Sequence, residues 1–554
     1  MQTISSLKEQ AVTDTPLILF DCVLPNGDAE HWCTHAVSVN NVSYAARVLQ
    51  HSSFDIQTAS DQGVDGSPKI SVTLANADSH FSEIERAIGW KGAQLTVSFL
   101  FYDLRNDVSL TDAAVVFQGI CNPPDLIKEA TFRLTASNRM NLQRLVLPEV
   151  RVQKRCPWQF PSTPAQQAEA VSGGANGQYS LYYRCGYSAG QPGGTGNLNG
   201  AVPFTSCGYT RTDCQARGMW TRFGGIEYVP PVIAVRGYGK EWTSSDLSVN
   251  QAQYNDFVPM VYGTAWYEPL VTFARNDGNL TRMEVLLGIG QMQGVVTVLV
   301  NGIQIPLGVN GQNMSATGWY NVVTLGTRDG VFDMNFTDSS GQPAGDAYGS
   351  MAYLAVVVPN AISNGNSLPS VQVLAQGLIV PIYNADGTAA ASQFSSNPAW
   401  ILLDVLRRSG WAASQIDILS FAAAAAYCDE QIDSTDLNGN PITLSRFQCN
   451  LVLQKKRSAG DLVRGIRNTA RLYLTYGPGG LLQCEVENTI ALQQPTQMAW
   501  SNSTAQLNEG WPSYEFGDGT NGFSGILRQA SGEPSVTVSS RPIADTPNNF
   551  TVEF

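Results

Sequence analysis

Four cysteines lie close together in the chain, at Cys156 in "KRCPWQF", Cys185 in "YYRCGYS", and Cys207 and Cys214 in "FTSCGYTRTDCQARGMW". Thiols at this density are metal ligands, cluster ligands, disulfide partners or buried free cysteines. Structural zinc sites usually carry C-x2-4-C knuckles. Here the gaps are 28, 21 and 6 residues, which demotes zinc. Iron–sulfur clusters also take four thiolates and tolerate wider spacing. Local charge fits an anionic centre: Arg151, Lys154, Arg155, Arg184, Arg211, Arg217 and Arg222 stand against only Glu169 and Asp213, seven charges against two. Arg155 and Arg184 directly precede cysteines, and positive neighbours depress thiol pKa.

Other constellations are weaker. "GYSAG" matches the G-x-S-x-G nucleophile elbow with Ser188 at its centre. That elbow needs a helix after the serine and a histidine later in the chain. A Pro/Gly-rich stretch follows instead, and His31, His35, His51 and His80 all come earlier. "HWCTH" sets His31, Cys33 and His35 at alternate positions, and a strand edge is preferred to a metal site because no fourth ligand is evident. "CDEQIDSTDLNGN" offers Asp429, Glu430, Asp433 and Asp436 but lacks the EF-hand glycine and glutamate, so a solvated acidic turn is expected. Cys22, Cys33, Cys121, Cys428, Cys449 and Cys484 read as core residues. Enzymatic activity has no positive support, and none is expected.

The elements that position these residues read as α+β, dominated by β structure. Residues 1–150 alternate as half-buried strands, as in "KISVTLANA" and "AQLTVSFLFYDL". "SHFSEIERAIGW" between them predicts a short helix capped by Ser79 or Ser82, with Phe81, Ile84 and Ile88 on one face, packed across a small barrel. Residues 151–235 are Gly-rich and without period, so a cross-link must replace a large core there. Residues 236–395 predict a β-rich domain with hairpins at Asn301-Gly302 and Asp329-Gly330.

Residues 396–500 predict a mixed α/β domain. One helix opens at Pro398 and closes at Gly410. A second, capped by Ser458, carries Leu462, Ile466, Ala470 and Tyr473 on one face and ends at Gly477-Pro478-Gly479-Gly480. Residues 501–554 read as the start of a further β domain, continued in a longer chain.

A chain of 554 residues is too long for one core. Its net charge of −13 argues against wrapping nucleic acid. The N-terminus shows no signal-peptide pattern, and the longest apolar runs are far below the roughly 18 residues of a membrane span. A soluble protein folded in a cytoplasm is expected, where thiols stay reduced.

The four-cysteine, Gly-rich stretch behind a β domain, finishing C-x6-C, resembles the minor tail protein L family of lambda-type siphophages. The resemblance implies a [4Fe–4S] cluster, with zinc as the alternative, held by Cys156, Cys185, Cys207 and Cys214. "VPMVYGTAWYEP", "NPAWILLDVLRRSG", "AAYCDEQID", "RFQCN" and "TYGPGGLL" resemble the tail-tip J family, the central hub of long non-contractile tails. Together the two resemblances imply multidomain tail-hub barrels joined in one chain with an iron–sulfur domain. They imply a virion protein assembled in the host cytoplasm, forming a homotrimer that closes the distal tail tube. Implied partners are the distal tail and tail-tube proteins, the tape measure protein, receptor-binding or fibre proteins and the host cell envelope, while DNA passes the lumen without specific binding. The rival functions are a tail-associated cell-wall hydrolase and a zinc- or disulfide-stapled adhesin.

Overall fold

The structure is a computed structural model that describes residues 7, 15–54, 69–138, 142, 145–189, 204–226, 235–237, 240–242, 256–276, 279–308, 311–334, 341–343, 345–363, 368–477 and 480–487. The β strands expected within 501–554 lie outside the described residues. The fold is α+β and dominated by β structure, as its composition and hairpin signals predict.

The N-terminal strands form one 11-stranded sheet. Strand Thr15–Val23 pairs with Ala29–Cys33 on one side and Gln94–Asp103 on the other. Pairing continues through Ala114–Cys121 and Thr131–Asn138 to Lys69–Ala75. The ends meet at Arg47. Val42–Ala46 pairs with Ala29–Cys33, and Val48–His51 pairs with Lys69–Ala75. The Arg47 N–H donates to the Cys33 carbonyl at 3.1 Å, while its own carbonyl accepts from the Ala75 N–H at 2.8 Å. The sheet thereby closes on itself, which removes the exposed edges an open sheet would leave.

Helix His80–Ala87 packs Phe81 into this barrel among Trp32, Trp90 and Phe132. Its cap differs from expectation. Ser79 has φ 62° and makes no side-chain cap. Asn76 Oδ1 instead accepts from the Phe81 and Ser82 N–H groups, at 3.1 and 3.4 Å. Ile88 is exposed rather than on the buried face.

Two further sheets, of five and six strands, enclose a second core that includes Val285, Val298, Val356 and Val373. Strand Met351–Pro359 explains the apolar run "MAYLAVVVP". Its Ala352, Leu354, Val356 and Val358 face that core, while Met351 and Tyr353 face another. A strand buried on both faces reads as continuous apolar sequence. The type I′ turn forms at Asn301 (φ 49°) and Gly302 (φ 77°). Of the second expected hairpin, the described residues 327–334 form no strand, and the Gly330 N–H bonds to the Thr221 carbonyl.

The largest core draws Val152 and Trp158, Met260 and Tyr262, Tyr348 and Tyr353, and the helices Pro398–Arg408, Ile418–Asp429 and Ala459–Ala470 together. The boundaries drawn from composition at 235 and 395 cut through this one core. The Ser458 cap forms, its hydroxyl accepting from the Asp461 N–H at 3.1 Å. The helix ends earlier than expected, at Arg471 with φ 54°, so Tyr473 lies on strand Leu472–Tyr476. That strand pairs with Leu482–Val486.

Candidate functional site

The cysteine segment is held at both ends. The Val152 N–H bonds to the Asp256 carbonyl and the Ile226 N–H to the Gln153 carbonyl, each at 2.8 Å. Between these ends stand short helices, not the wholly irregular chain expected. Pro164–Ser172 opens on a Thr163/Gln166 capping box, Leu181–Cys185 on Ser180, and Arg211–Ala216 on a Thr210/Asp213 capping box. The segment's own core is small: Phe160, Tyr187 and Met219 are buried, with Cys185, Cys207, Phe204 and Tyr209 packed against them.

Each of the four cysteines is half-buried, and the four lie near enough to interact electrostatically. Cys156 interacts electrostatically with Cys185 and Cys207, and Cys214 with all three others. Cys156 sits on extended chain, its N–H bonded to the Tyr209 carbonyl at 3.0 Å. Cys185 ends its helix. Gly186 then turns with φ 67°, where a Cβ would collide with the Arg222 guanidinium. Cys207 precedes the Tyr209 turn (φ 62°), and Cys214 lies within helix Arg211–Ala216.

Donors point at the sulfurs. The Tyr209 N–H reaches Cys207 Sγ at 3.2 Å and Arg217 Nη1 reaches it at 3.3 Å. The N–H groups of Gly224 and Trp158 bond to the Cys156 sulfur, and that of Tyr187 to the Cys185 sulfur. Burial nonetheless dominates. It pushes the Cys156 thiol up to about 12 and Cys185 up to about 11, and raises Cys214 with help from the other three thiols. Thiols this close together lose their protons jointly where a bound cation takes up the charge.

Of the positive residues expected near the sulfurs, the two that directly precede cysteines are engaged elsewhere. Arg155 stacks over Tyr209 at 4.7 Å. Arg184 stacks over Trp158 at 5.0 Å and pairs with Glu149 at 3.4 Å. Arg217 and Arg222, also among those expected, both favour the Cys185 thiolate. Among the described residues, no group of three His, Cys, Asp or Glu side chains is placed to hold a single metal ion.

The remaining sequence candidates are dispersed. Ser188 is buried in the loop after Cys185, and the histidines have other partners. His31 pairs with Asp21 at 2.6 Å and His80 with Glu30 at 3.0 Å, while His35 bonds to Thr34 at 3.0 Å. His51 bonds to the Ser52 carbonyl at 2.8 Å. Cys33 is core, so the "HWCTH" trio does not converge. Cys22, Cys121, Cys428 and Cys484 are buried too, whereas Cys449 is half-buried. The acidic turn is the tip of an exposed hairpin, Gln431–Thr435 with Pro441–Ser445, where Asp436 accepts from the Asn438 and Asn440 N–H groups at 2.8 Å.

Two buried polar clusters gave no such prominent motif. In the first, Asp404 accepts from Tyr179, Tyr262 and Arg408, and Glu149 accepts from Arg184 and Arg408. A signal was present: Asp404 and Arg408 stand four apart on a helix, the spacing of a stabilising pair.

The second centres on Glu284, fully buried, with Oε2 accepting from the Tyr348 hydroxyl at 2.6 Å and Oε1 without a partner among the described residues. Burial raises its carboxyl from the ordinary 4.5 to about 8, helped by Asp346 and Asp333 and opposed by the Tyr348 bond and Arg211. Between those values the folded chain keeps a proton that the unfolded chain has released, so stability falls as pH rises. Glu284→Gln is expected to flatten that fall and to be the more stable protein at pH 8, by about 1–3 kcal/mol. Urea denaturation at pH 5, 6.5 and 8 measures it, and parallel slopes for the two proteins would refute the assignment.

No family model and no curated protein matches the sequence. Among solved structures, a chain from "Virion of native gene transfer agent (GTA) particle" is similar at 13% identity and a TM-score of 0.23, over 29% of this chain and 52% of that one. The match thus spans about half of that chain's length, and at this TM-score the likeness carries no argument about fold or role.

Proposed function

We propose that the protein is a structural hub of a siphophage-like tail tip whose cysteine segment is stapled by an iron–sulfur cluster. The observation that carries the staple is the convergence of Cys156, Cys185, Cys207 and Cys214 in a segment with almost no core of its own. The donor set fits the group: four sulfurs, with backbone N–H groups and Arg217 directed at three of them. Zinc held by the same four thiols is the alternative staple. When bound, such a centre supplies charge compensation and cross-linking.

The hub role rests on the sequence resemblance and accords with a β-dominated chain of −13 charge. An acidic or neutral lumen lets DNA pass, whereas a basic wall would retain phosphates. The proposed assembly is a homotrimer around the tail axis, in contact with tube, tape measure and receptor-binding proteins. Imaging of virion tail tips by electron cryo-microscopy tests role and staple together. The expected result is a three-fold ring closing the tube, with compact density between the four cysteines of each protomer. A single peripheral copy, or a lumen lined by Arg155, Arg184 and Arg217, would sink the reading.

A further inference from the structure

We propose that a cavity beneath the cysteine segment binds a small tetrahedral oxoanion, phosphate or sulfate. The cavity, of about 160 Å³, is lined by Arg184, Arg328, Arg408, Gln291, Thr327 and Ser350. That is room for a five-atom anion with some water. Its walls come from separate parts of the chain. Arg184 belongs to the cysteine segment, Arg408 to helix Pro398–Arg408, and Arg328 to the loop that replaces the expected hairpin.

The charge does not balance without a ligand. Three guanidinium groups face two carboxylates, a formal excess of one positive charge. Glu149 accepts from Nη1 of Arg184 at 3.4 Å and from Nη1 of Arg408 at 3.3 Å, dividing its charge between them. Asp404 accepts from Arg408 Nε at 2.7 Å but also from the hydroxyls of Tyr179 and Tyr262. Arg184 Nε is taken by the Gln178 carbonyl at 3.3 Å. Among the described residues, Nη2 of Arg184 and Nη2 of Arg408 donate to nothing. Arg328 stacks over Tyr183 at 4.3 Å and makes one long contact, Nη1 to the Ala170 carbonyl at 3.5 Å.

The donors are also placed where charge counts. The Arg184 and Arg408 side chains are 7% and 4% exposed, so their attraction for an anion is screened far less than at a surface. The Arg184 and Arg408 guanidinium groups both reach Glu149, which places two like charges beside one carboxylate. An anion between the guanidinium groups would relieve that repulsion. Guanidinium forks match the oxygens of phosphate and sulfate in geometry as well as charge. Polar Gln291, Thr327 and Ser350 complete the lining. Because the walls join the cysteine segment to the body, an occupant would clamp the two together.

The test is thermal unfolding of the full chain titrated with inorganic phosphate, ionic strength being held constant with chloride, and with sulfate in a parallel arm. The expected result is a saturable rise in Tm with phosphate, with sulfate or with both, the stronger identifying the preferred ion. Arg328→Gln, on a loop and so tolerated by the fold, is expected to weaken the apparent affinity at least about tenfold, the effect of one charge-assisted hydrogen bond. Arg446→Gln, whose side chain pairs with exposed Glu430 outside the cavity, should leave the response unchanged. A rise no larger than chloride gives, or an equal rise in Arg328→Gln and the unaltered protein, would overturn the proposal.

Discussion

Protein purified without oxygen is expected to be brown and to hold iron and sulfide in equal amounts, about four of each for a cubane cluster. Cys207→Ser and Cys214→Ser should lose the colour and, with it, the protease resistance of the segment. The reason is energetic. Among the described residues the segment's own cluster buries just Phe160, Tyr187 and Met219, while Val152, Trp158 and Ile226 near its ends pack into the main core, so its middle has little apolar burial to offset the ordering of its chain. A metal centre in such a segment contributes folding free energy directly, so losing a ligand is losing the fold. Cleavage between residues 160 and 200 should rise at least about tenfold in either variant, because local opening governs proteolysis there. The N-terminal barrel should be unaffected, since neither of its cores includes a residue of the segment. Cys449→Ser is the control: that thiol is also half-buried but packs against the main core, and its loss should leave the iron in place. Colourless protein with stoichiometric zinc would reject the iron centre, and unchanged protease resistance in both variants would reject the staple.

What could be read in advance was local. Asn301-Gly302 makes its turn because adjacent positive φ values favour asparagine and glycine whatever lies around them. Asn397 and Pro398 open their helix by the same kind of local chemistry, the Asn397 side chain accepting from the Ala399 N–H. Asp329-Gly330 carries a similar turn signal but is overruled from afar: Arg222 pairs with Asp329 at 2.6 Å and Thr221 takes the Gly330 N–H. Ser79 loses its cap to Asn76, whose side chain reaches the first turn from outside the helix. In the site, the cysteines announced themselves by number and spacing and the local positive charge was visible, but which arginines face the thiols was not. Successive residues diverge in direction on a helix, so Arg184 need not point where Cys185 does. On extended chain the same holds for Arg155 and Cys156. The arginines that face the thiols, Arg217 and Arg222, stand further along the chain and arrive by folding. The Glu149 bridge to Arg184 and Arg408 spans similarly remote positions, and its partners cannot be read from local pattern.

Asp404→Ala is expected to destabilise the protein by about 3–5 kcal/mol, the range for breaking a buried ion pair from one side. Asp404 is fully buried and accepts from Arg408 Nε at 2.7 Å, the Tyr262 hydroxyl at 2.5 Å and the Tyr179 hydroxyl at 2.6 Å. Burial and the Asp404 charge raise both tyrosine pKa values, so the hydroxyls stay protonated and remain donors. Truncation takes the carboxylate from both hydroxyls, leaving Tyr262 only its 3.8 Å contact with Met260 Sδ, and makes Arg408 dependent on Glu149, which it already shares with Arg184. Asp404→Asn keeps the shape and an acceptor for a tyrosine but loses the charge, and a smaller cost of about 2 kcal/mol is expected. Tyr179→Phe should cost about 1 kcal/mol, and less again in the Asp404→Asn background, because the two share one hydrogen bond. Since Tyr179 belongs to the cysteine segment and Asp404 to helix Pro398–Arg408, the same cycle measures how far this network, as distinct from the cysteines, fastens the segment to the body. Urea denaturation of the four proteins supplies the numbers. An Asp404→Ala variant within about 1 kcal/mol of the unaltered protein would mean that water replaces the carboxylate at little cost, and that the segment is fastened elsewhere.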